Sequence, residues 1–194
     1  MNVVMTAHEP GDRPPAPEPI RLVQAFINTN DLEGEDRLVD AAALRAWLDD
    51  AGLRVPARLS AAEHAQAIEL REALRELVAA NAGLPHDAAA LETVNAAASS
   101  AGLRPLLTGP ADARLEPTAG GVDAALGAIV AAVHAGIADG TWARLKACER
   151  DTCRWAFYDH SRNRSGHWCS MAVCGSREKN RRAYRRRTTR GAGA

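Results

Sequence analysis

All four cysteines of the chain lie in its last quarter, as two pairs with the same internal spacing. Four residues separate the members of each pair and fifteen separate the pairs, which are Cys148 with Cys153 and Cys169 with Cys174. A tetrahedral Zn²⁺ takes four thiolates, and a short loop can return the second pair to the first. A site closed by four protein ligands stabilises a fold and has no open position for hydrolysis. The spacing therefore predicts one structural zinc ion.

Other interpretations of the cysteines stay open from the residues alone. Two disulfides would suit a secreted protein, but residues 1–19 are polar and proline-rich and contain no apolar signal-peptide core. This favours reduced thiols and a cytoplasmic location. The thiols could also cluster without a metal, and His160 or His167 in the loop between the pairs could replace a cysteine as ligand.

The residues around the cysteines follow a specific pattern. Residues 153–158 read Cys-Arg-Trp-Ala-Phe-Tyr, and the fourth cysteine opens the sequence Cys-Gly-Ser-Arg over 174–177. This pattern resembles the CGNR zinc finger, in which the fourth cysteine opens a Cys-Gly-Asn-Arg signature and a basic helix follows. Ser176 stands where the signature has asparagine, and both side chains can form the local hydrogen bonds of a helix start.

Upstream segments extend the resemblance to most of the chain beyond residue 19. Residues 22–29 (LVQAFINT), 44–48 (LRAWL) and 51–53 (AGL) are similar to the ABATE domain, which usually precedes this finger. The resemblance implies a transcription regulator, with the four cysteines as zinc ligands.

Length and composition predict one ordinary domain followed by a small module. The chain has 194 residues, of which 46% are hydrophobic and 4% aromatic, so we expect a helix-rich body of small packed side chains. No apolar run approaches the ~18 residues of a membrane span. The predicted fold class is α+β: a mainly helical N-terminal domain with a small β element, then a four-cysteine finger and a basic C-terminal helix. The predicted boundaries are a disordered tail over 1–19, an ABATE-like domain over 20–140, the finger and basic helix over 141–190, and a flexible end over 191–194.

The net charge of zero conceals two halves of opposite sign. From Thr141 onward there are fourteen basic and four acidic residues, a net charge of +10, so the first 140 residues carry −10. Such a separation is typical of a surface that binds a polyanion. The two halves could instead attract each other.

Periodic apolar residues and capping signals predict the elements of the N-terminal domain. Helices are expected over 38–51, from Ser60 to about 81, from Asp87 to about 102, and over 122–137, and a short hairpin is expected over 103–107 and 113–116. Residues 20–28 lack strict alternation, so both strand and helix remain open there.

The N-terminal domain contains no recognisable catalytic pattern. Phosphate-binding glycine loops, nucleophile elbows and HExxH motifs are all missing from the sequence, and the dense ligand cluster is coordinatively closed, so we expect no enzyme activity. Asn28 and Thr29 are weak candidates for lining a ligand pocket in a sensor domain, with simple capping as the alternative.

Residues 154–158 alternate sufficiently to predict a strand. Trp155 and Phe157 would face one side and Tyr158 the other. These rings could stack on single-stranded bases, but a core around the zinc is the better interpretation because so small a module needs its large side chains inside. RNA binding is favoured only if the rings are exposed.

The arginine-rich tail is the main functional signal. Like charges at helical spacing repel each other, and a polyanionic partner relieves that repulsion. We therefore expect DNA binding by a transcription regulator, with Ser176 capping the tail helix and the N-terminal domain sensing a small-molecule effector or forming a homodimer. A zinc-stabilised module that binds an acidic protein is the alternative. The expected nucleic-acid contacts are Arg162, Arg164, Arg177, Lys179, Arg181, Arg182, Arg185, Arg186 and Arg187.

Overall fold

Helices dominate the N-terminal part of the chain, and two short strand pairs follow. The structure, a computed structural model, describes residues 13–85, 87–181 and 184. The order is α1 (Ile20–Ile27), α2 (Ala41–Asp50), α3 (Ala61–Ala80), α4 (Ala88–Ser100), β1 (Arg104–Gly109), β2 (Asp112–Glu116), α5 (Gly121–Asp139), β3 (Leu145–Ala147) and β4 (Ala156–Tyr158). A 3-10 turn (Trp142–Arg144) precedes β3, and a π-helical turn (Met171–Gly175) leads into helical residues 176–181. The α+β class predicted from the sequence is confirmed.

Local capping signals fix the helix boundaries. The capping box at the start of α3 is complete: the Ser60 amide donates to the Glu63 carboxylate (2.7 Å) and the Glu63 amide donates to Ser60 Oγ (3.2 Å). The helix predicted from residue 38 begins at Ala41, because the Asp40 side chain caps it and accepts from Ala43. Gly52 ends that helix in the left-handed region (φ +77°).

Residues 20–28, which the sequence left undecided, form α1 over Ile20–Ile27, with Asn28 as its C-cap. Val23, Phe26 and Ile27 are buried, and so is Gln24 on the same helix. Polar and apolar residues do not alternate in this segment because the helix is buried on most of its sides.

Helix α5 packs against α1, α4 and β2 in the N-terminal domain. By length and composition alone, this helix could cross a membrane; half of its apolar stretch is buried inside the protein, and core helices of soluble proteins pass the same test. Asp123 and His134 interrupt its apolar sequence. A side chain at Gly136 would lie 2.5 Å from Ile20, so the glycine allows α1 and α5 to pack closely.

A single large core extends past the boundary predicted at residue 140. Leu145 and Ala147 from β3 and Ala156 and Tyr158 from β4 are buried in the same cluster as the helices. A second, smaller cluster surrounds the four cysteines. The β3–β4 hairpin therefore belongs to both parts of the molecule.

The described part of the proline-rich segment differs from the disordered tail that composition predicts. Ala16 is buried, and its amide donates to the Gln24 side chain (3.1 Å). Residues 1–12 and the predicted flexible end at 191–194 lie outside the described residues. From residue 13 onward the segment packs on the protein because it has specific polar and apolar partners there.

Candidate metal centre and basic surface

The first cysteine pair lies in the loop that connects β3 to β4. Strands β3 and β4 pair antiparallel, with Lys146 opposite Phe157. Cys148 directly follows β3, and its amide donates to the Trp155 carbonyl (2.9 Å). The Cys153 amide donates to the Arg150 carbonyl (2.8 Å), which closes the turn between the two cysteines.

The second pair precedes and enters the last helical segment. The Ser170 side chain caps this segment by accepting from the Val173 amide (3.3 Å). The sequence had predicted Ser176 as the cap, and this was wrong: Ser176 has helical backbone angles, and its hydroxyl donates to the Met171 carbonyl (3.2 Å). Cys174 therefore lies within the first helical turn, where free backbone amides favour a negatively charged ligand set.

The four sulfur atoms fit one tetrahedral Zn²⁺. All four Sγ atoms lie within 4.8 Å of one another, and Cys169 Sγ is 3.6 Å from both Cys153 Sγ and Cys174 Sγ. Zinc–sulfur bonds of about 2.3 Å in a tetrahedron require sulfur separations near 3.8 Å, whereas a disulfide requires about 2.05 Å. The four thiols are free and buried. The centre therefore holds one structural zinc ion on Cys148, Cys153, Cys169 and Cys174.

The loop histidines have other partners. A ring nitrogen of His160 lies 3.1 Å from the Pro14 carbonyl, and His167 pairs with the Glu149 carboxylate. Both are exposed, unlike the cysteines. This agrees with ligation by the cysteines alone.

Four clustered thiols cannot all ionise without a cation. Hydrogen bonds from Cys153 and Cys169 lower the pKa of Cys148. The same contacts raise the pKa of Cys153 and of Cys169. A bound Zn²⁺ supplies the positive charge that lets all four become thiolates.

Three aromatic residues of the finger, Trp155, Phe157 and Tyr158, are buried, as the packing interpretation predicted. Trp155 and Phe157 surround the cysteines, with Trp168 packed against the same cluster. Tyr158 faces the opposite side and joins the large core. Trp155 and Tyr158 are therefore not exposed platforms for stacking bases, and their exposure was the condition for favouring RNA binding. Tyr184, farther along the chain, is 69% exposed.

A buried ion pair shapes the loop between the cysteine pairs. Lys146 Nζ lies 3.0 Å from Asp159 Oδ2, and both side chains are almost fully buried. The amides of Ser161 and Gly166 also donate to the Asp159 carboxylate (3.0 and 2.7 Å). These bonds turn the loop back on itself and place Arg162 and Arg164 at its exposed tip.

Asn28 joins the N-terminal domain to the finger. Its Nδ2 donates to the Ala156 carbonyl and its Oδ1 accepts from the Ala156 amide, both at 2.8 Å. The amide side chain thus pairs with the free edge of β4 as a neighbouring strand would. Thr29 is also buried; its hydroxyl donates to the Phe26 carbonyl and accepts from Arg71. The ligand-pocket role of both residues stays a prediction; the polar atoms of both side chains have partners within the chain.

Buried arginines on α3 strengthen this junction. Arg75 donates to the carbonyls of Ile27 (2.8 Å) and Arg154 (3.2 Å), thereby linking α1 to the finger. Arg154 in turn forms two hydrogen bonds with Glu76 (2.7 and 2.8 Å). The sequence analysis missed these contacts because they join residues far apart in the chain.

The cations predicted to contact nucleic acid divide into two groups. Among described residues, Arg162 and Arg164 are exposed on the loop, and Arg177, Lys179 and Arg181 are exposed on the last helical segment. Arg181 pairs with Glu178 on the same segment (2.8 Å). The other predicted contacts, Arg182, Arg185, Arg186 and Arg187, lie outside the described residues.

One acidic side chain of the N-terminal domain contacts the finger at three points. Glu33 accepts hydrogen bonds from Arg150 (2.7 Å), Thr152 (3.1 Å) and Arg177 (3.3 Å). Burial opposes ionisation, but the bonds from Arg150 and Thr152 outweigh it and lower the pKa of Glu33. No local sequence pattern links Glu33 to Arg150, which lies 117 positions farther along the chain.

Known families account for most of the chain. Residues 21–140 match ABATE, whose description is "Putative stress-induced transcription regulator", and residues 144–187 match the CGNR zinc finger. Both matches agree with the resemblances drawn from the sequence. A comparison with curated proteins finds no match.

Proposed function

The chain belongs to the ABATE family and carries a zinc-binding CGNR finger, and from this we propose that it is a transcription regulator that binds duplex DNA. The supporting observation is the group of exposed cations on the two segments that flank the second cysteine pair. Arg162 and Arg164 precede it, and Arg177, Lys179 and Arg181 follow it. Zinc fixes the direction in which both segments leave the finger.

The proposed contact is mainly electrostatic. Arginine and lysine side chains neutralise DNA phosphates and release counterions, so the binding affinity falls steeply as the salt concentration rises. The slope of the logarithm of the binding constant against the logarithm of salt concentration becomes steeper by about 0.9 for each phosphate neutralised. Arg182, Arg185, Arg186 and Arg187 would extend the contact along the tail. A slope equivalent to several phosphates is expected.

Buried aromatics favour duplex DNA over single-stranded nucleic acid. Single-strand binders stack bases on exposed rings. Trp155 and Phe157 are instead packed around the cysteines. Exposed cations such as Arg162 and Lys179 suit the phosphate backbone of a duplex, although one aromatic side chain of the finger, Tyr184, is exposed.

For the N-terminal domain we propose a sensing role. A groove of about 630 Å³ lies between the start of α1, strand β2 and helix α5, with Leu22, Leu115 and Ala132 among its lining residues. An apolar small molecule would suit it, since the lining is mainly apolar and the charged side chains of Arg114 and Glu116 at the groove pair with each other. Dimerisation is the other role proposed for this domain. The protein as a whole is proposed to act in the cytoplasm, without enzyme activity.

An alternative is a zinc-stabilised module whose cations bind acidic proteins. Contacts within the chain favour this specifically, because Arg150 and Arg177 already bind Glu33, and Arg154 already binds Glu76. In that case the positive surface would recognise carboxylates on a partner.

Charge removal on the last helical segment separates the two functions. We expect R177A/K179A to weaken duplex binding at least tenfold in fluorescence anisotropy and to flatten the salt slope by about two. The matched control is R54A/R58A, which removes two exposed cations from the N-terminal domain. Equal duplex affinity in both variants, with zinc retained, would leave the protein-interaction module as the function.

A further inference from the structure

The finger contains an anion site that no sequence pattern marked. Arg150, Thr152 and Arg177 converge on the two carboxylate oxygens of Glu33. We propose that these three residues form a phosphate-binding site for the DNA backbone, and that Glu33 occupies it as an internal competitor. This inference rests on the proposed DNA binding. It adds Arg150 and Thr152 as phosphate contacts, and it adds Glu33 as a residue that limits DNA affinity.

The geometry suits a phosphate. Arg150 approaches Glu33 through both terminal nitrogens, at 2.6 Å from Oε1 and 2.7 Å from Oε2. The Thr152 hydroxyl donates to Oε1 and Arg177 to Oε2. A guanidinium that binds two oxygens at once, supported by a hydroxyl and a second guanidinium, is a typical phosphate-binding set. A phosphodiester carries the same single negative charge as the carboxylate that it would replace.

The donors and the acceptor belong to different parts of the molecule. Arg150 and Thr152 lie between the first two cysteines, and Arg177 follows the fourth, so zinc ligation holds the donors together. Glu33 lies on the exposed loop between α1 and α2. A turn shapes that loop: the Gly34 amide donates to the Asp31 carbonyl (2.9 Å) and the Glu33 amide to the Asp31 side chain (3.0 Å).

The Glu33 contact can be released without separating the finger from the N-terminal domain. Buried contacts already hold that junction, namely Asn28 with Ala156 and Arg75 with the Arg154 carbonyl. At the Glu33 site the side chains are 57% exposed for Arg177, 32% for Glu33 and 20% for Arg150, so solvent reaches the carboxylate. An incoming phosphate would accept the same hydrogen bonds from Arg150, Thr152 and Arg177 that Glu33 gives up, so the exchange leaves no donor unpaired.

The test compares E33Q with E35Q in duplex binding by the full-length zinc-loaded protein. Both changes remove one negative charge from the same loop, but the Glu35 side chain has no ion pair among the described residues. We expect E33Q to bind duplex DNA at least fivefold more tightly than E35Q. The salt slope should also steepen by about one to two, because two arginines become free for phosphates. Equal affinity of E33Q and E35Q, with wild-type protein binding DNA normally, would overturn this inference alone.

A second variant checks the site itself. Adding R150Q to E33Q should remove the gain in affinity, with one zinc per chain retained as the measure of a folded finger. A gain that persists in R150Q/E33Q would overturn the phosphate site. If wild type, E33Q and E35Q all fail to bind duplex even at low salt, both this inference and the proposed function are wrong.

Discussion

Arg13 shows how one side chain from the N-terminal segment supports the metal centre. It donates to the carbonyls of Trp168 (2.8 Å) and Cys169 (2.7 Å), and its guanidinium lies 4.8 Å from the centre of the Phe157 ring. Cys169 is a zinc ligand, so Arg13 holds the backbone that carries it. Groups that orient metal ligands commonly change metal affinity by tenfold or more.

We therefore expect R13A to lose zinc to a chelator about tenfold faster than the wild-type protein. The measurement is zinc transfer to a chromogenic chelator under fixed conditions. R58A, which removes an exposed arginine far from the cysteines in the sequence, serves as control. Identical transfer rates for R13A and R58A would contradict the supporting role of Arg13.

The buried Lys146–Asp159 ion pair is expected to contribute to the stability of the fold. Burial raises the pKa of Asp159, but hydrogen bonds from Ser161 and Lys146 outweigh it and hold that pKa well below its usual range. A depressed pKa means that the ionised carboxylate stabilises the fold above about pH 4 and that this contribution is lost as the pH falls. D159N leaves the buried Lys146 ammonium without its counter-charge.

Removing one partner of a buried ion pair typically costs about 3–5 kcal/mol, and we expect a loss of that order for D159N in chemical denaturation. Adding K146M should restore part of the stability, because the unpaired charge is then gone. A double variant less stable than D159N would show that the pair does not act as described.

Among the elements, strand β4 depends on a side chain for its outer partner. Asn28 forms two hydrogen bonds with Ala156, and Gln24 adds a longer bond to the same carbonyl (3.3 Å). Without Asn28 the Ala156 amide would be buried and unpaired. Leaving a buried backbone group unsatisfied costs about 1–3 kcal/mol.

N28A is accordingly expected to lower the free energy of unfolding by about 2–4 kcal/mol, since it removes both bonds. N95A, at an exposed position on α4, is the matched control and should change stability by less than about 1 kcal/mol. Equal denaturation midpoints for the two variants would contradict the role of Asn28.

Elements whose signals lie within a few residues could be predicted from the sequence. Ser60 and Glu63 form their capping box, Gly52 takes the left-handed conformation, and the cysteine spacing led to the metal centre. Contacts between distant residues could not be predicted, because nothing local distinguishes Glu33 from a solvated acidic side chain, or Asn28 from a capping residue. The helix start at Ser170 was missed because Ser176 occupies the position of the family signature.

At the scale of the whole molecule, the β3–β4 hairpin links the zinc site to the helical domain. The β3–β4 hairpin contributes Leu145 and Tyr158 to the large core, while the cysteines at its end surround the metal. The negative first part of the chain and the positive last part meet at Glu33 and Glu76. Both features couple the finger to the rest of the protein.

Zinc removal should therefore destabilise more than the finger. We expect chelation to lower the melting temperature of the helical signal in circular dichroism by at least about 5 °C, because the hairpin loses the cross-link that orders it. An unchanged helical melting curve after complete zinc loss would show that the N-terminal domain folds independently of the metal.

The central claim is that the zinc-bound finger presents cations to duplex DNA. Fluorescence anisotropy of a labelled duplex, at low and moderate salt and with the zinc content of the same sample measured, tests it most directly. We predict binding that weakens steeply with salt and is lost when zinc is chelated. Protein with one zinc per chain that fails to bind duplex even at low salt would contradict the claim.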